Sequence, residues 1–351
     1  MRKLRNFFIG SILTIIILIA LLGYRQNIFS QGKLPFDDEQ VGLENQIIIK
    51  FSHVVAENTP KGLAAEKFAQ LVEAKSNGRI IVQIYPNGML YNDDNELIAL
   101  KEGDIQMIAP TTSKMTEYLP NWQILDLPFL IDDERELKTV LTGPISEKLI
   151  GELETLNIKG LTFWNNGFKQ IASSHSPILE TQDFWHKKIR MMPSDILKEQ
   201  FYLLRAKPIA TTFGNVYNEL ESMTVDAQEN TISNMFSKKF YEMENHITLS
   251  NHGILSYVVM MNENFWNHLS PEDQQIINDS LEEMESWQFE LANNINAINL
   301  QTLRQNKEVF IYELDKVNRE KWNEVINPIY DYYSKNVQPD YLNELLQELN
   351  K

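Results

Sequence analysis

Residues 46–85 read QIIIKFSHVVAENTPKGLAAEKFAQLVEAKSNGRIIVQIY, and this stretch decides the fold class. Gln46 to Ser52 (QIIIKFS) is a short β-branched run, the mark of a buried strand. Thr59-Pro60 supplies a helix N-cap and an N1 proline. Ala64, Phe68, Leu71 and Val72 then recur at helical spacing, and Asn77-Gly78 stops the helix. Arg79 to Tyr85 (RIIVQIY) alternates as a second strand. Strand, helix and strand in this order predict an α/β fold with a predominantly parallel sheet.

The pattern continues downstream. Asp93 to Glu96 reads as a capping box ahead of Leu97, Ile98 and Leu100, with Gly103 as the stop. Asp104 to Ala109, Ile158 to Trp164 and Lys187 to Met191 are expected strands. A helix from Ser194 to Leu204 follows, then a brief KPIA strand (207–210) whose Pro208 cannot donate to a ladder. Thr212 caps a helix over Asn215 to Leu220, and a strand from Thr224 to Ala227 leads into Gln228-Glu229-Asn230. Ser270-Pro271-Glu272-Asp273 then combines a cap, an N1 proline and an acidic first turn. Ile277, Leu281, Met284, Trp287, Leu291, Ile295 and Ile298 recur at helical spacing behind it. One helix therefore runs to about Arg304, roughly 50 Å, and joins two domains or lies along both. A strand at Val309 to Leu314 and an aromatic helix through Trp322, Ile326, Tyr330 and Tyr333 come last. No fixed-period repeat is present.

The length of 351 residues suits two domains or one large one. Hydrophobic residues make up 43% and charged residues 23%, which argues against extensive disorder. Lys and Arg number 32 against 48 Asp and Glu, a formal charge of −16 that repels phosphates and argues against a nucleic-acid partner. The absence of cysteine excludes disulfides, thiolate nucleophiles, Cys-type zinc sites and anchoring through an acylated cysteine. The N-terminus stands apart, with Arg2, Lys3 and Arg5 ahead of an apolar run from Phe7 to Leu22. Residues 1–30 read as an export signal, either cleaved or retained as a membrane anchor, since no A-x-A-like site follows. Either outcome leaves everything after about Gln31 outside the cytoplasm. Residues 31–45, polar and acidic, read as a spacer.

There is no G-x-G-x-x-G after a strand, no Walker loop and no G-x-S-x-G elbow. The histidines (His53, His175, His186, His246, His252, His268) show no i, i+4 pairing, so no metal or cofactor is expected. What remains is a set of cationic and amide groups at the C-terminal ends of predicted strands, where α/β sheets bind ligands. Lys61 lies in the first helical turn after the first strand, beside free backbone N–H groups. Lys169 follows Phe168 at the end of the Ile158 strand, and Arg190 closes KKIR. Asn230 lies just after the Thr224 strand, and Thr112-Ser113 follow the Asp104 strand. A guanidinium grips a carboxylate through two parallel hydrogen bonds while an ammonium serves a second as a point charge, a combination suited to a small dianion. Each position also has a plainer reading. Arg190 and Lys61 serve equally well as surface charges, Asn230 as a turn residue, Trp164 and Phe168 as packing, and His53 and His252 as hydrogen-bonded core or loop histidines.

Taken as strings, FSHVVAENTPKGLAAEKF (51–68), YPNGMLYNDDNEL (85–97) and DLPFL (126–130) resemble the extracytoplasmic solute receptors of TRAP transporters. NNGFKQ (165–170), KIRMMPS (188–194), TFGNVYNEL (212–220), VDAQEN (225–230) and SNHG (250–253) point to the dicarboxylate-binding, DctP-like branch. The resemblance covers residues 46 to 335. It implies a periplasmic-binding-protein-like fold of two α/β domains, joined by crossing strands and one long helix, that close over a ligand. Domain I would comprise residues 46–166 with 256–295, and domain II residues 167–255 with 296–351. It further implies a monomeric, non-enzymatic receptor for a four-carbon dicarboxylate such as succinate, malate or fumarate. The receptor would deliver its ligand to the large and small membrane subunits of the transporter. Arg190 takes the position of the family's carboxylate-pairing arginine and Asn230 that of its partner asparagine. Lys169 takes a position that is Arg or Lys in relatives, and Lys61 would meet the second carboxylate. Ser113, Thr112, Phe213 and Trp164 complete the expected ligand-binding set. A 2-oxo, sugar or aromatic acid as ligand, a sensor domain and an extracellular enzyme are the competing readings. Trp185-His186 and Met191-Met192-Pro193 depart from the family's usual pattern, and the second departure bears on which diacid fits.

Overall fold

β1 (Ile47–Ser52) buries Ile49 and Phe51 and pairs in parallel with β2 (Ile80–Tyr85), from Ile47 against Ile80 to Ser52 against Tyr85. Between them the helix Pro60–Lys75 is capped by Thr59, whose hydroxyl accepts the Gly62 N–H at 3.2 Å. Its Ala64, Ala65, Phe68 and Val72 pack on the sheet. The computed structural model describes residues 46–351; the expected export segment (1–30) and spacer (31–45) lie outside the described residues. The remaining strands are β3 (Met107–Ile108), β4 (Ile158–Ser173), β5 (Lys188–Met191), β6 (Lys207–Ala210), β7 (Ala227–Asn230), β8 (His246–Asn262) and β9 (Phe310–Glu313). They form one sheet in the order β2-β1-β3-β8-β4-β7-β5-β6, with β9 on β8. Pro208 sits in β6 at the sheet edge, where a missing donor is tolerated.

The two wings are parallel, β1 with β2 and β3, and β5 with β6 and β7. The centre is not. β4 runs antiparallel to β7 and β8, and β8 antiparallel to β3. The sheet is therefore mixed: five of its eight strand pairings are parallel, as expected, β8 with β9 among them, and the three antiparallel ones all involve β4 or β8. The cause is a pair of strands, 16 and 17 residues long, that run through both wings. β8 does not show in the sequence because Ser250-Asn251-His252-Gly253 breaks its apolar pattern. β4 extends past Trp164 to Ser173 through register shifts at Gly160/Thr162, Asn165/Gly167 and Lys169/Ile171.

The long helix spans Pro271–Gln305, with Ser270 accepting the Asp273 N–H at 3.1 Å. Ile277, Leu281 and Met284 bury as the periodicity demands, but Trp287 and Ile298 turn outward. The inward face changes to Gln288, Phe289, Ala292 and Asn296 where the helix crosses the β4 bulge. Residues at the bulge lack regular ladder partners, and amides supply them. Gln288 accepts from the Asn165 N–H at 2.8 Å and donates to the Asn165 carbonyl at 2.7 Å. Asn296 donates to the Asn166 carbonyl and accepts the Ser233 N–H, each at 2.9 Å. The expected C-terminal aromatic helix is two, Lys316–Ile326 and Pro328–Asn336, because Pro328 opens a new one. Among the described residues no helix is long and apolar enough to cross a membrane.

Candidate functional site

Parallel wings bring the C-terminal ends of β5 and β7 to one edge of the sheet. There Arg190 and Asn230 line a narrow cleft with Phe213, Tyr257, Lys114 and Asp93. Arg190 is 1% exposed, and its Nε and Nη2 donate to the Thr211 carbonyl at 3.2 and 2.7 Å. Those bonds orient the guanidinium plane. Burial lowers its pKa, against the pull of Glu229, Asp93, Glu219 and Glu244, yet a guanidinium stays charged. Asn230 Oδ1 accepts the Thr231 N–H at 3.0 Å and the Asn234 amide at 2.9 Å. The Phe213 ring packs edge-on against Phe240 with centroids 5.9 Å apart.

Asp93 and Glu96 correct the capping-box expectation. The helix Glu96–Glu102 is entered through Asn95, which makes no side-chain cap bond to the helix. Its Oδ1 accepts the Asn92 N–H at 2.8 Å instead. Asp93 reaches away to accept the Phe213 N–H at 2.9 Å. Glu96 turns inward and is wholly buried, with neither carboxylate oxygen hydrogen-bonded.

The other expected residues lie behind the cleft surface. Lys61 is 1% exposed, and its Nζ donates to the Ala109 carbonyl at 2.8 Å and sits 3.9 Å from the Tyr257 ring centroid. Burial lowers its pKa to about 8, opposed by Glu96 and Asp93. Lys169 is fully buried and pairs with Glu229 at 3.0 Å. Glu229 also meets His252 Nε2 at 3.0 Å, and His252 Nδ1 meets Ser250 Oγ at 2.7 Å. Burial alone would raise the Glu229 carboxyl, but Lys169 and His252 hold it down at about 2. Burial lowers the His252 pKa against the pull of Glu229. A neutral ring then donates through Nε2 and accepts the Ser250 hydroxyl through Nδ1. Thr112 hydrogen-bonds Ser256 Oγ at 3.0 Å, Ser113 donates to Asp126 at 2.5 Å, and Trp164 packs on Phe51 with centroids 5.9 Å apart.

Lys114, Tyr257 and Asp93 escaped the sequence reading as cleft residues. The Lys114 ammonium is buried without a hydrogen-bond partner. Its signal was adjacency, since it directly follows Thr112-Ser113 in the short helix Thr112–Met115 beyond β3. Tyr257 had no signal, because its strand was not legible.

Crossing strands, one long helix and a cleft holding fixed cations define a solute receptor with two α/β lobes. The chain belongs to the bacterial extracellular solute-binding proteins, family 7 (DctP), whose sequence pattern matches residues 51–336; this is the receptor family of TRAP transporters. It is 43% identical over 317 residues to the C4-dicarboxylate-binding protein DctB of Bacillus subtilis (strain 168), covering 90% of this chain and 89% of that protein. A TRAP periplasmic solute-binding protein from Shewanella oneidensis, solved with bound succinate, superposes with a TM-score of 0.83 at 35% identity over 86% of this chain and 99% of that one. The sugar acid binding protein DctPAm from Advenella mimigardefordensis strain DPN7T, in complex with galactonate, gives 0.84 at 29% identity over 87% and 98%.

Proposed function

We propose that this receptor captures a C4-dicarboxylate such as succinate, malate or fumarate and hands it chemically unchanged to the membrane subunits of a TRAP transporter. The observation that carries this reading is a pair of cations facing one cleft from different wings of the sheet. Arg190 is oriented by Thr211, and Lys114 is buried without a partner. The remaining Arg190 donors take one carboxylate in two parallel hydrogen bonds with Asn230 alongside. Lys114 takes the second carboxylate as a point charge. Lys61, committed to Ala109 and the Tyr257 ring, supports that wall electrostatically. The name of the Bacillus relative and the succinate of the Shewanella structure favour the same ligand class.

The overall charge of −16 does not oppose an anionic ligand, because salt screens beyond about 8–10 Å and local cations set the cleft potential. Micromolar affinity needs about −8 kcal/mol, within reach of one bidentate pair, a second cation and closure. Residues 1–30 export the receptor and either leave it or anchor it outside the cytoplasm. A sugar acid is the second reading, favoured by Asp93 on the cleft wall as a hydroxyl acceptor and by the galactonate-binding neighbour.

Calorimetric titration tests the assignment. Succinate is expected to bind, and Arg190→Ala to cost about 2–5 kcal/mol of binding, a loss of thirtyfold or more. Lys114→Met should weaken succinate at least tenfold but spare galactonate. Wild-type affinity for succinate in Arg190→Ala refutes the clamp, and mass spectrometry returning an altered ligand refutes the receptor role.

A further inference from the structure

Behind the cleft wall, three charged groups act on one carboxylate that none of them hydrogen-bonds. Glu96 is wholly buried, and both of its oxygens lack partners. Lys61 approaches from the helix Pro60–Lys75, Lys114 from the short helix Thr112–Met115, and Asp93 from the adjoining loop; these are the charges that act on Glu96. His53, just past β1, faces Lys61, and burial with that ammonium lowers its pKa to about 3, so it remains neutral. A buried carboxylate without hydrogen bonds ionises only where nearby cations compensate it. In the unliganded protein Lys61 and Lys114 are those cations. A dianionic ligand seated between Arg190 and Lys114 claims them from the cleft side. Two carboxylates competing for the same ammonium groups in a low-dielectric wall do not both stay ionised.

We propose that Glu96 is a neutral carboxylic acid whenever a dicarboxylate is bound, so that capture from a solution alkaline enough to have ionised it takes up one proton and release returns it. The proposal rests on the dicarboxylate reading of the cleft. No bond of the ligand changes; one O–H bond forms at Glu96 on binding and breaks on release. Burial, with Asp93 adding and the two lysines opposing, raises the Glu96 carboxyl to about 8. A bound dianion raises it further. Succinate affinity is then level below about pH 8 and falls by up to tenfold per pH unit above it. Lys61, lowered to about 8 by burial, titrates together with Glu96, so the test must report on the carboxyl itself.

The experiment has two arms at about pH 8.5, where succinate is a dianion. Calorimetry of the wild-type protein in two buffers of different ionisation enthalpy should show uptake of more than half a proton per succinate. Infrared difference spectra with ¹³C-labelled succinate should show a protein carboxylic-acid C=O band that appears on binding and is absent in Glu96→Gln. Glu96→Gln should still bind succinate, since the amide copies the protonated form. Uptake of no proton overturns the proposal, as does a band that persists in Glu96→Gln. If that variant fails to fold, the carboxylic-acid band of the wild type decides: proton uptake without such a band places the proton on Lys61 and overturns the proposal. Absence of succinate binding to the wild type overturns the dicarboxylate reading instead.

Discussion

At Arg190 the proposed ligand-binding charge is immobilised before any ligand arrives, because Thr211 holds two of its donors. Such preorganisation lowers the entropy that binding must offset. Lys169 occupies the opposite situation. It sits among similar motifs in the sequence, yet its ammonium is fully buried on Glu229 at 3.0 Å, in a chain that continues to His252 and Ser250. Removing one partner of such a pair strands the other. Lys169→Met should therefore cost about 3–5 kcal/mol in urea unfolding, and adding Glu229→Gln should restore part of that loss. Glu229 also sets an acid limit. Its folded pKa lies at about 2, below the ordinary carboxyl value of 4.5. The stability it contributes is present above its unfolded value and is lost as pH falls through that window. Urea midpoints measured from pH 6 to pH 2 should show this loss in the wild type and a smaller one in Glu229→Gln. None of this was legible in the sequence. Motif spacing marks where a lysine enters the fold, but whether it meets a ligand or a glutamate depends on β7 and β8 lying against β4.

At the scale of elements, the helix Pro60–Lys75 was readable down to its cap, because cap, N1 proline and apolar spacing are local signals. Its first turn also carries a tertiary constraint that local signals do not show. A Cβ at Gly62 would lie 2.5 Å from the carbonyl oxygens of Ala56 and Glu57. Gly62→Ala should displace that turn and cost about 1–3 kcal/mol by thermal melting. Because Lys61 is the neighbouring residue, succinate affinity should fall with it. The long helix divides the same way. Its start at Ser270 follows from sequence, whereas its change of face at Gln288 follows from the β4 bulge it must satisfy. The capping box at Asp93 to Glu96 failed for a related reason: Asp93 has a better donor in Phe213, supplied by a distant segment.

At the scale of the molecule, the Asp93–Phe213 hydrogen bond joins residues 120 positions apart on either side of the cleft. If the two proposed domains close over the ligand, this contact holds the closed form. Asp93→Ala should raise the succinate dissociation rate and weaken binding by about 1 kcal/mol, roughly fivefold, while changing the unliganded melting temperature little. Succinate at about 100 times its Kd should stabilise the wild type by about 2.7 kcal/mol in a thermal shift. X-ray scattering should report a smaller radius of gyration with ligand, and no change on saturation would remove hinge closure. By itself the sequence determined the α/β class, the helices capped at Thr59 and Ser270 and the strand ends that carry Arg190 and Asn230, because these follow from local periodicity and short motifs. Only the tertiary structure decided that the sheet is mixed, that Lys169 turns to Glu229 and that Lys114 faces the cleft beside an unpaired Glu96. The reason is physical: a buried charge takes its role from partners tens to well over a hundred positions away, and no local pattern encodes which of them it will meet.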